Sequence, residues 1–411
     1  MESWRFSAEG KDYVLRRAPS MEFMTERPFG HASEAAIIEA ARNKGVTTPR
    51  IAGVLEEGDG LGSGFIMEAL PGTPDPRAIQ AMDTPRQILV EAASDLARTH
   101  SLSARDLPAD VPVMDYAEAV ANLRKQFEDA GGDRPIIALG LRWLMDNLPE
   151  PVEPVLNHGD FRLGNLLAED SHLSGVLDWE LAHFGDWHED LAFGCMPVWR
   201  FGAYEKPALG LGSLEDYFTA YEEAGGRTVD PVRFRFWTVY RTAWWALGCL
   251  KMASYWRSGE DRMLERVVIS RRTSEQELDL LLLLEEDVPE EERSRSIAAP
   301  EAPEARGEAT SGEIATAISE WLATIKDRME GHDRFQLAVA RNALGMIARD
   351  DALMPVEGDA ELAEALLESE IDLASPGLLA ELREMAFAKL SADVPKYRSL
   401  AVARRQWIGD D

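Results

Sequence analysis

Val155-Leu-Asn-His-Gly-Asp-Phe-Arg-Leu-Gly-Asn-Leu-Leu167, followed by Gly175-Val-Leu-Asp-Trp-Glu180, is the stretch from which the rest of the 411-residue chain can be read. Three polar residues, Asp160, Asn165 and Asp178, stand in it between apolar runs. Val155 and Leu156 lead into the polar turn His158-Gly-Asp160, and Leu166-Leu167 resume the apolar pattern, which reads as strand, loop, strand. Residues 174–177 alternate small and apolar up to Asp178 and read as a further strand that ends in a carboxylate. A hairpin followed by a strand end can bring the three polar side chains to one rim. Two carboxylates and an amide oxygen are hard oxygen donors, too few to cage a metal alone. Such a set suits Mg²⁺, which keeps waters and completes its shell from substrate phosphates.

Phosphoryl transfer asks a protein for a carboxylate that orients the attacking hydroxyl, an Asn and an Asp on the metal, and a cation on the phosphates. In kinase catalytic loops the Asn follows the catalytic Asp by five residues, the separation of Asp160 and Asn165. His158-Gly-Asp-Phe-Arg-Leu-Gly-Asn165, then Leu177-Asp-Trp-Glu180 and Glu189-Asp-Leu-Ala192, resembles the aminoglycoside phosphotransferase family. It resembles most the branch related to the kinase-like domain fused to some acyl-CoA dehydrogenases. The resemblance covers roughly residues 1–285. It implies an α+β, protein-kinase-like two-lobed fold: a small β-rich N-lobe over residues 1–70 and a mostly helical C-lobe over 71–284.

The resemblance also implies roles. Asp160 orients or deprotonates the acceptor hydroxyl, His158 orders its loop, Asn165 and Asp178 hold Mg²⁺, and Asp190 braces the loop from behind. Residues 3–17 alternate as a hairpin about Glu9-Gly-Lys11, whose second strand carries the nucleotide-gripping cation in the family. Arg16 stands there, an arginine with bidentate reach for phosphate oxygens. Its helix partner is Glu34, with Glu39 second, in the Ala-rich helix over residues 31–44 that Ser33 caps and Gly45 stops. Phe65-Ile-Met-Glu-Ala-Leu70 resembles the interlobe hinge, where the backbone of Glu68, Ala69 and Leu70 meets the adenine edge. Only Met1-Glu-Ser3 precede Trp4, so the first strand and glycine loop of the family are absent from this sequence, which favours a true start upstream of Met1.

Composition constrains the alternatives. Lys and Arg total 43 against 73 Asp and Glu, a net charge of −30, which repels nucleic acid and anionic membranes. It also repels ATP, so a local basic cluster and Mg²⁺ are expected at the nucleotide site. Cys195 and Cys249, in apolar settings, read as buried thiols, and no apolar run reaches spanning length, which points to a cytoplasmic protein. His183 and His188 beside Asp186 make a weak metal candidate, because the histidines lack ligand spacing. The helix over residues 231–253 is crowded with aromatics and reads as core, with Arg241 as a candidate reader of an acceptor anion. Trp179 and Glu180 are further acceptor candidates.

Residues 285–312, rich in Glu, Pro, Ala, Arg and Ser, read as a solvated linker, and 313–411 as a separate small all-α accessory domain of helical hairpins. The expected activity is ATP- and Mg²⁺-dependent phosphorylation of a small-molecule hydroxyl, with a hydroxy acid or hydroxyacyl-CoA preferred over an aminoglycoside-like amino sugar. A nucleotide-binding scaffold without catalysis and a metal-dependent hydrolase are the alternatives. Oligomeric state is left open.

Overall fold

The computed structural model describes residues 2–18, 27–300, 307–356 and 358–409. They fall into two compact units, one of Met1–Glu118 with Pro149–Thr238, the other of Ala119–Leu148 with Val239–Asp411.

The first unit opens with an antiparallel sheet of β1 (Glu2–Ala8), β2 (Lys11–Ala18), β3 (Ile51–Val54) and β4 (Ser63–Glu68), in the order β1-β2-β4-β3. The β1–β2 turn places Glu9 and Gly10 at φ 53° and 78°, a tight hairpin of the kind that needs positive φ at both central positions. The register pairs Ser3 and Phe65 with Arg16, and Arg5 and Met67 with Val14. The two-residue alternation of a strand therefore puts these six side chains on one face. Helix His31–Asn43 packs on this sheet through Ile37, Ile38 and Ala41 and stops at Gly45, φ 88°. It begins two residues earlier than the expected cap: Gly30 is the N-cap, and the Ser33 hydroxyl donates to Asp110 instead.

Below the sheet, β5 (Val155–Asn157) pairs with β8 (His183–Gly185), while β6 (Leu166–Glu169) pairs with β7 (His172–Val176) through the positive-φ turn Asp170-Ser171. The 155–167 segment is thus not a hairpin in itself. Its loop links two separate two-stranded ladders, because each apolar run finds its partner later in the chain. Val176 N–H donates to Thr47 O at 2.7 Å, tying β7 to the approach to β3. Helices Pro85–Thr99, Trp187–Phe193 and Leu214–Glu223 complete a core that includes Ile88, Leu96, Leu156, Phe161, Trp179 and Leu191.

The second unit is helical, with Pro135–Asp146, Thr273–Leu284, Ser311–Thr324, Gly331–Leu353, Ala360–Leu367, Leu378–Asp393 and Arg398–Ala403 among its elements. Leu278, Leu281, Leu366, Leu382, Phe387 and Trp407 are buried in it. The first part of the expected linker belongs here, largely exposed but anchored: Val288 and Ile297 are buried, and Arg383 and the Trp407 indole both bond Glu285. Two isolated apolar anchors suffice to dock a segment whose composition otherwise reads as unstructured. The aromatic helix Pro231–Ser258 buries Phe236, Trp237 and Tyr240, and both cysteines are free and buried. No helix of the described residues is long and apolar enough to cross a membrane.

Candidate active site

The loop after β5 is held from behind. Gly159 has φ 81°, and a Cβ there would lie 2.2 Å from Leu181 O, so only glycine fits the turn. The His158 and Gly159 amides both donate to the Asp190 carboxylate, which also meets His100 Nε2 at 3.3 Å. Burial works to raise the Asp190 carboxyl, but these bonds outweigh it and hold it below the usual carboxylate range. His158 is buried, and burial pushes its imidazole below the ordinary value, toward the neutral form. Its Nε2 lies 3.0 Å from Leu177 O and its Nδ1 accepts from the Asp160 amide at 3.2 Å, which assigns the proton to Nε2. His158 thereby ties the Asp160 loop to the residue that precedes Asp178.

Asp160 Oδ1 accepts from Arg162 Nε at 2.9 Å and Oδ2 from Asn165 Nδ2 at 2.6 Å. Burial raises the Asp160 carboxyl, with the Arg162 guanidinium opposing. The Asn165 amide nitrogen also donates to Asp160 O at 2.9 Å, and its side-chain oxygen has no hydrogen-bond partner among the described residues. Asp178 adopts φ 68°, unusual for a residue with a side chain. Its Oδ1 accepts from Arg16 Nη2 at 2.7 Å.

Arg16, on β2, is the hub of a charge cluster. It also donates to Glu180 and lies 3.5 Å from Glu34, which is buried in helix His31–Asn43. Arg27 bonds both Glu34, at 3.1 Å, and Glu180. Burial opposes the charge of Arg16, but Glu34, Asp178 and Glu180 more than offset it and raise its pKa. Two arginines meet three carboxylates here, so the cluster is charge-compensated rather than the basic patch expected at a nucleotide site.

Arg16, Glu34, Asn165 and Asp178 line one cleft of about 330 Å³, with Val14, Met67, Leu167 and Val176 as apolar walls and Glu68, Ala69 and Leu70 at its edge. In that edge the Glu68 amide donates to Arg50 O and the Ala69 amide to Asp12 O, each at 2.9 Å. Leu70 lines the cleft between them and Pro71, which has no N–H.

Trp179 borders this cleft and Glu180 belongs to its charge cluster, while the remaining candidates are placed elsewhere. Trp179 is fully buried, 4.6 Å from the His158 ring, with its indole donating to Val176 O, which assigns its side chain to the core rather than to an acceptor. Glu180 is engaged by Arg16 and Arg27. Arg241 lies in the second unit, buried, 5.0 Å above Trp244. His183 Nε2 meets Glu189 at 2.9 Å, and His188 bridges Asp186 and the Asp230 amide; the described residues hold no metal-binding group of three. Arg27 and Arg162 are members of the site that sequence reasoning passed over. Arg162 lies inside the opening motif, two residues after Asp160, and could have been found there. Arg27 stands seven residues before its partner Glu34, but its second partner, Glu180, is 153 residues away.

The donor set fits a magnesium nucleotide: an amide oxygen on Asn165 with no partner among the described residues, a carboxylate on Asp178, an arginine on the sheet, and a slot with apolar walls. Residues 2–230 match the model of the phosphotransferase enzyme family. The chain is 32% identical over 232 residues to acyl-CoA dehydrogenase family member 10 of Mus musculus, covering 51% of this chain and 21% of that protein. It is 27% identical over 224 residues to family member 11 of Gallus gallus, covering 51% and 28%. It therefore matches about a fifth to a quarter of the length of these relatives. A candidate aminoglycoside phosphotransferase from Ralstonia eutropha shares the fold, with TM-score 0.55 and 20% identity over 69% of this chain and 92% of that one. The kinase-like architecture and the family match over more than half of the sequence make this chain a member of the phosphotransferase enzyme family.

Proposed function

We propose that the chain transfers the γ-phosphoryl group of ATP, with Mg²⁺, to the hydroxyl of a small organic acid or its thioester. The observation that carries this reading is the convergence of Asn165, Asp178 and Arg16 at one cleft, with Asp160 hydrogen-bonded to Asn165 beside it. Asp160 takes the proton of the acceptor hydroxyl as the new O–P bond forms and the bond between γ-phosphorus and the β-bridging oxygen breaks, so ADP leaves. Asn165 and Asp178 supply the metal-facing oxygens, and Arg16 reaches the α/β-phosphates. Bound Mg²⁺ supplies charge neutralisation on the phosphate oxygens. His158 and Asp190 keep Asp160 in place, and the apolar walls exclude water from the slot. Positioning and charge compensation then carry most of the rate.

On this reading residues 1–70 are the nucleotide lobe, 71–284 the catalytic lobe and 313–411 an accessory element. The acceptor class rests on the relatives, whose names attach the matched segment to acyl-CoA dehydrogenation. The test is transfer from γ-labelled ATP to a panel of short hydroxy acids, hydroxyacyl thioesters and amino sugars. Labelled hydroxy acid or thioester, dependent on Mg²⁺, supports the reading, and label on amino sugars alone overturns the acceptor class.

A further inference from the structure

We infer that Arg162 is the reader of a carboxylate carried by the acceptor, which makes free hydroxy acids the preferred acceptor class. The inference rests on the phosphotransfer reading above.

Three observations carry it. Arg162 is anchored through Nε alone, at 2.9 Å to Asp160, and neither terminal nitrogen has a partner among the described residues. Its guanidinium lies 4.4 Å above the Trp199 ring, and Nη1 sits in the space that a Cβ on Gly164 would occupy, 2.3 Å from that position, with Phe201 3.4 Å away. The side chain keeps 23% of its surface exposed, so these donors are reachable. A guanidinium fixed at one nitrogen, stacked on an aromatic face and open at the other two is pre-organised for a bidentate oxyanion.

The donor's γ-phosphate has the same chemistry, and the cleft lining argues against it. Gly164, Asn165, Asp178 and Arg16 line the nucleotide slot, whereas Asp160 and Arg162 do not. Arg162 therefore stands with the residue that receives the acceptor's proton. Trp199 and Phe201 beside it give an apolar wall for an alkyl chain. An amino-sugar acceptor would bring cations to this guanidinium, and a diol would leave its donors unpaired.

The experiment compares phosphoryl transfer to 4-hydroxypentanoate with 1,4-pentanediol, and to 3-hydroxybutyrate with 1,3-butanediol, in the wild type, Arg162→Gln and Arg162→Lys. The wild type should prefer each carboxylate about ten- to hundredfold in kcat/KM, the range for charged hydrogen bonds, expressed mainly in KM. Arg162→Gln slows all acceptors because Asp160 loses its partner, but the carboxylate preference itself should fall to about one. Arg162→Lys should restore part of the preference. An unchanged preference in Arg162→Gln, or none in the wild type, overturns the inference. A rise in KM for ATP without loss of the preference would assign Arg162 to the donor phosphate instead. Absence of transfer to either carboxylate overturns it too. A Mg²⁺-dependent thermal shift with ATP then tells whether the phosphotransfer reading survives on its own.

Discussion

Arg16 Nη2 donates to Asp178 Oδ1 at 2.7 Å, so the cation proposed for the phosphates and the carboxylate proposed for the metal are bonded to each other. A nucleotide without its metal would bring phosphate charge against Asp178, Glu180 and Glu34 together. With Mg²⁺, Asp178 can exchange one cation for another while Arg16 turns to the phosphates. Binding of ATP is therefore expected to depend on Mg²⁺. At a hundred times its Kd the complex should gain about 2.7 kcal/mol, a shift of about 5–11 °C in Tm for a unit of this size. Asp178→Ala should abolish the Mg²⁺-dependent part. A full shift with ATP and chelator in the wild type would contradict the proposed exchange.

Asp160 sits where burial raises its carboxyl, with Arg162 opposing. A base must be ionised to accept a proton, and a raised pKa means that ionisation is completed at higher pH. The acid limb of the kcat/KM profile is therefore expected above the ordinary carboxylate pKa of about 3.9, and Arg162→Gln should displace it further upward. Asp160→Asn should lower turnover by about 10²–10⁴ while ATP still produces its thermal shift. Turnover equal to the wild type would remove Asp160 from the mechanism.

The legibility of the site followed the range of the interactions. Asp160 and Asn165 belong to one loop, and their separation is visible in any reading of the chain. Arg16 and Glu34 pair across 18 residues through a hairpin and a helix that local patterning defines. Arg27 is different: it joins Glu34, seven residues on, to Glu180 from a distant turn, and no period or cap announces it. Strand pairing failed for the same reason. Val155–Asn157 offers a strand pattern, but its partner is His183–Gly185 rather than the apolar run that follows directly. Val288 and Ile297 show the limit of composition, since single side chains of an acidic, Pro- and Ala-rich run are buried while most of their neighbours stay exposed. Ser33 shows competition, as Asp110 rather than the helix terminus takes its hydroxyl.

Asp186 offers a stability measurement independent of catalysis. It is fully buried and accepts from His188 Nδ1 at 2.6 Å and from Arg233 Nε at 2.9 Å; burial works to raise its carboxyl, but the bonds from His188 and Trp237 overcome it and bring the carboxyl down to about 2 from 3.8. A pKa depressed in the folded state contributes stability above the unfolded value that is lost as pH falls through the folded one. The window is thus pH 4 down to 2, and the contribution is about 2 kcal/mol. Urea unfolding of the wild type should show this loss between pH 4 and pH 2. Asp186→Asn should be destabilised at pH 7, with the Arg233 charge left uncompensated, and should lose less on acidification. Parallel acid curves for the two proteins would refute the assignment.

Gly159 joins the backbone of the loop to its chemistry. Alanine at φ 81° costs about 1–2 kcal/mol, and its Cβ would lie 2.2 Å from Leu181 O, a contact that only a backbone shift relieves. Such a shift moves the His158 and Gly159 amides off Asp190 and takes Asp160 with them. Gly159→Ala should therefore lower turnover by more than tenfold, because a displacement near 1 Å at a reacting group is enough for a hundredfold loss. ATP affinity should change little, since the slot is lined by Arg16, Asn165, Asp178 and the hinge rather than by Gly159. Kinetics with a thermal-shift titration on the same preparation separate the two effects. Equal loss of ATP binding and turnover would mean that the loop shapes the nucleotide slot itself, and the division between a donor cleft and an acceptor-side loop would have to be redrawn.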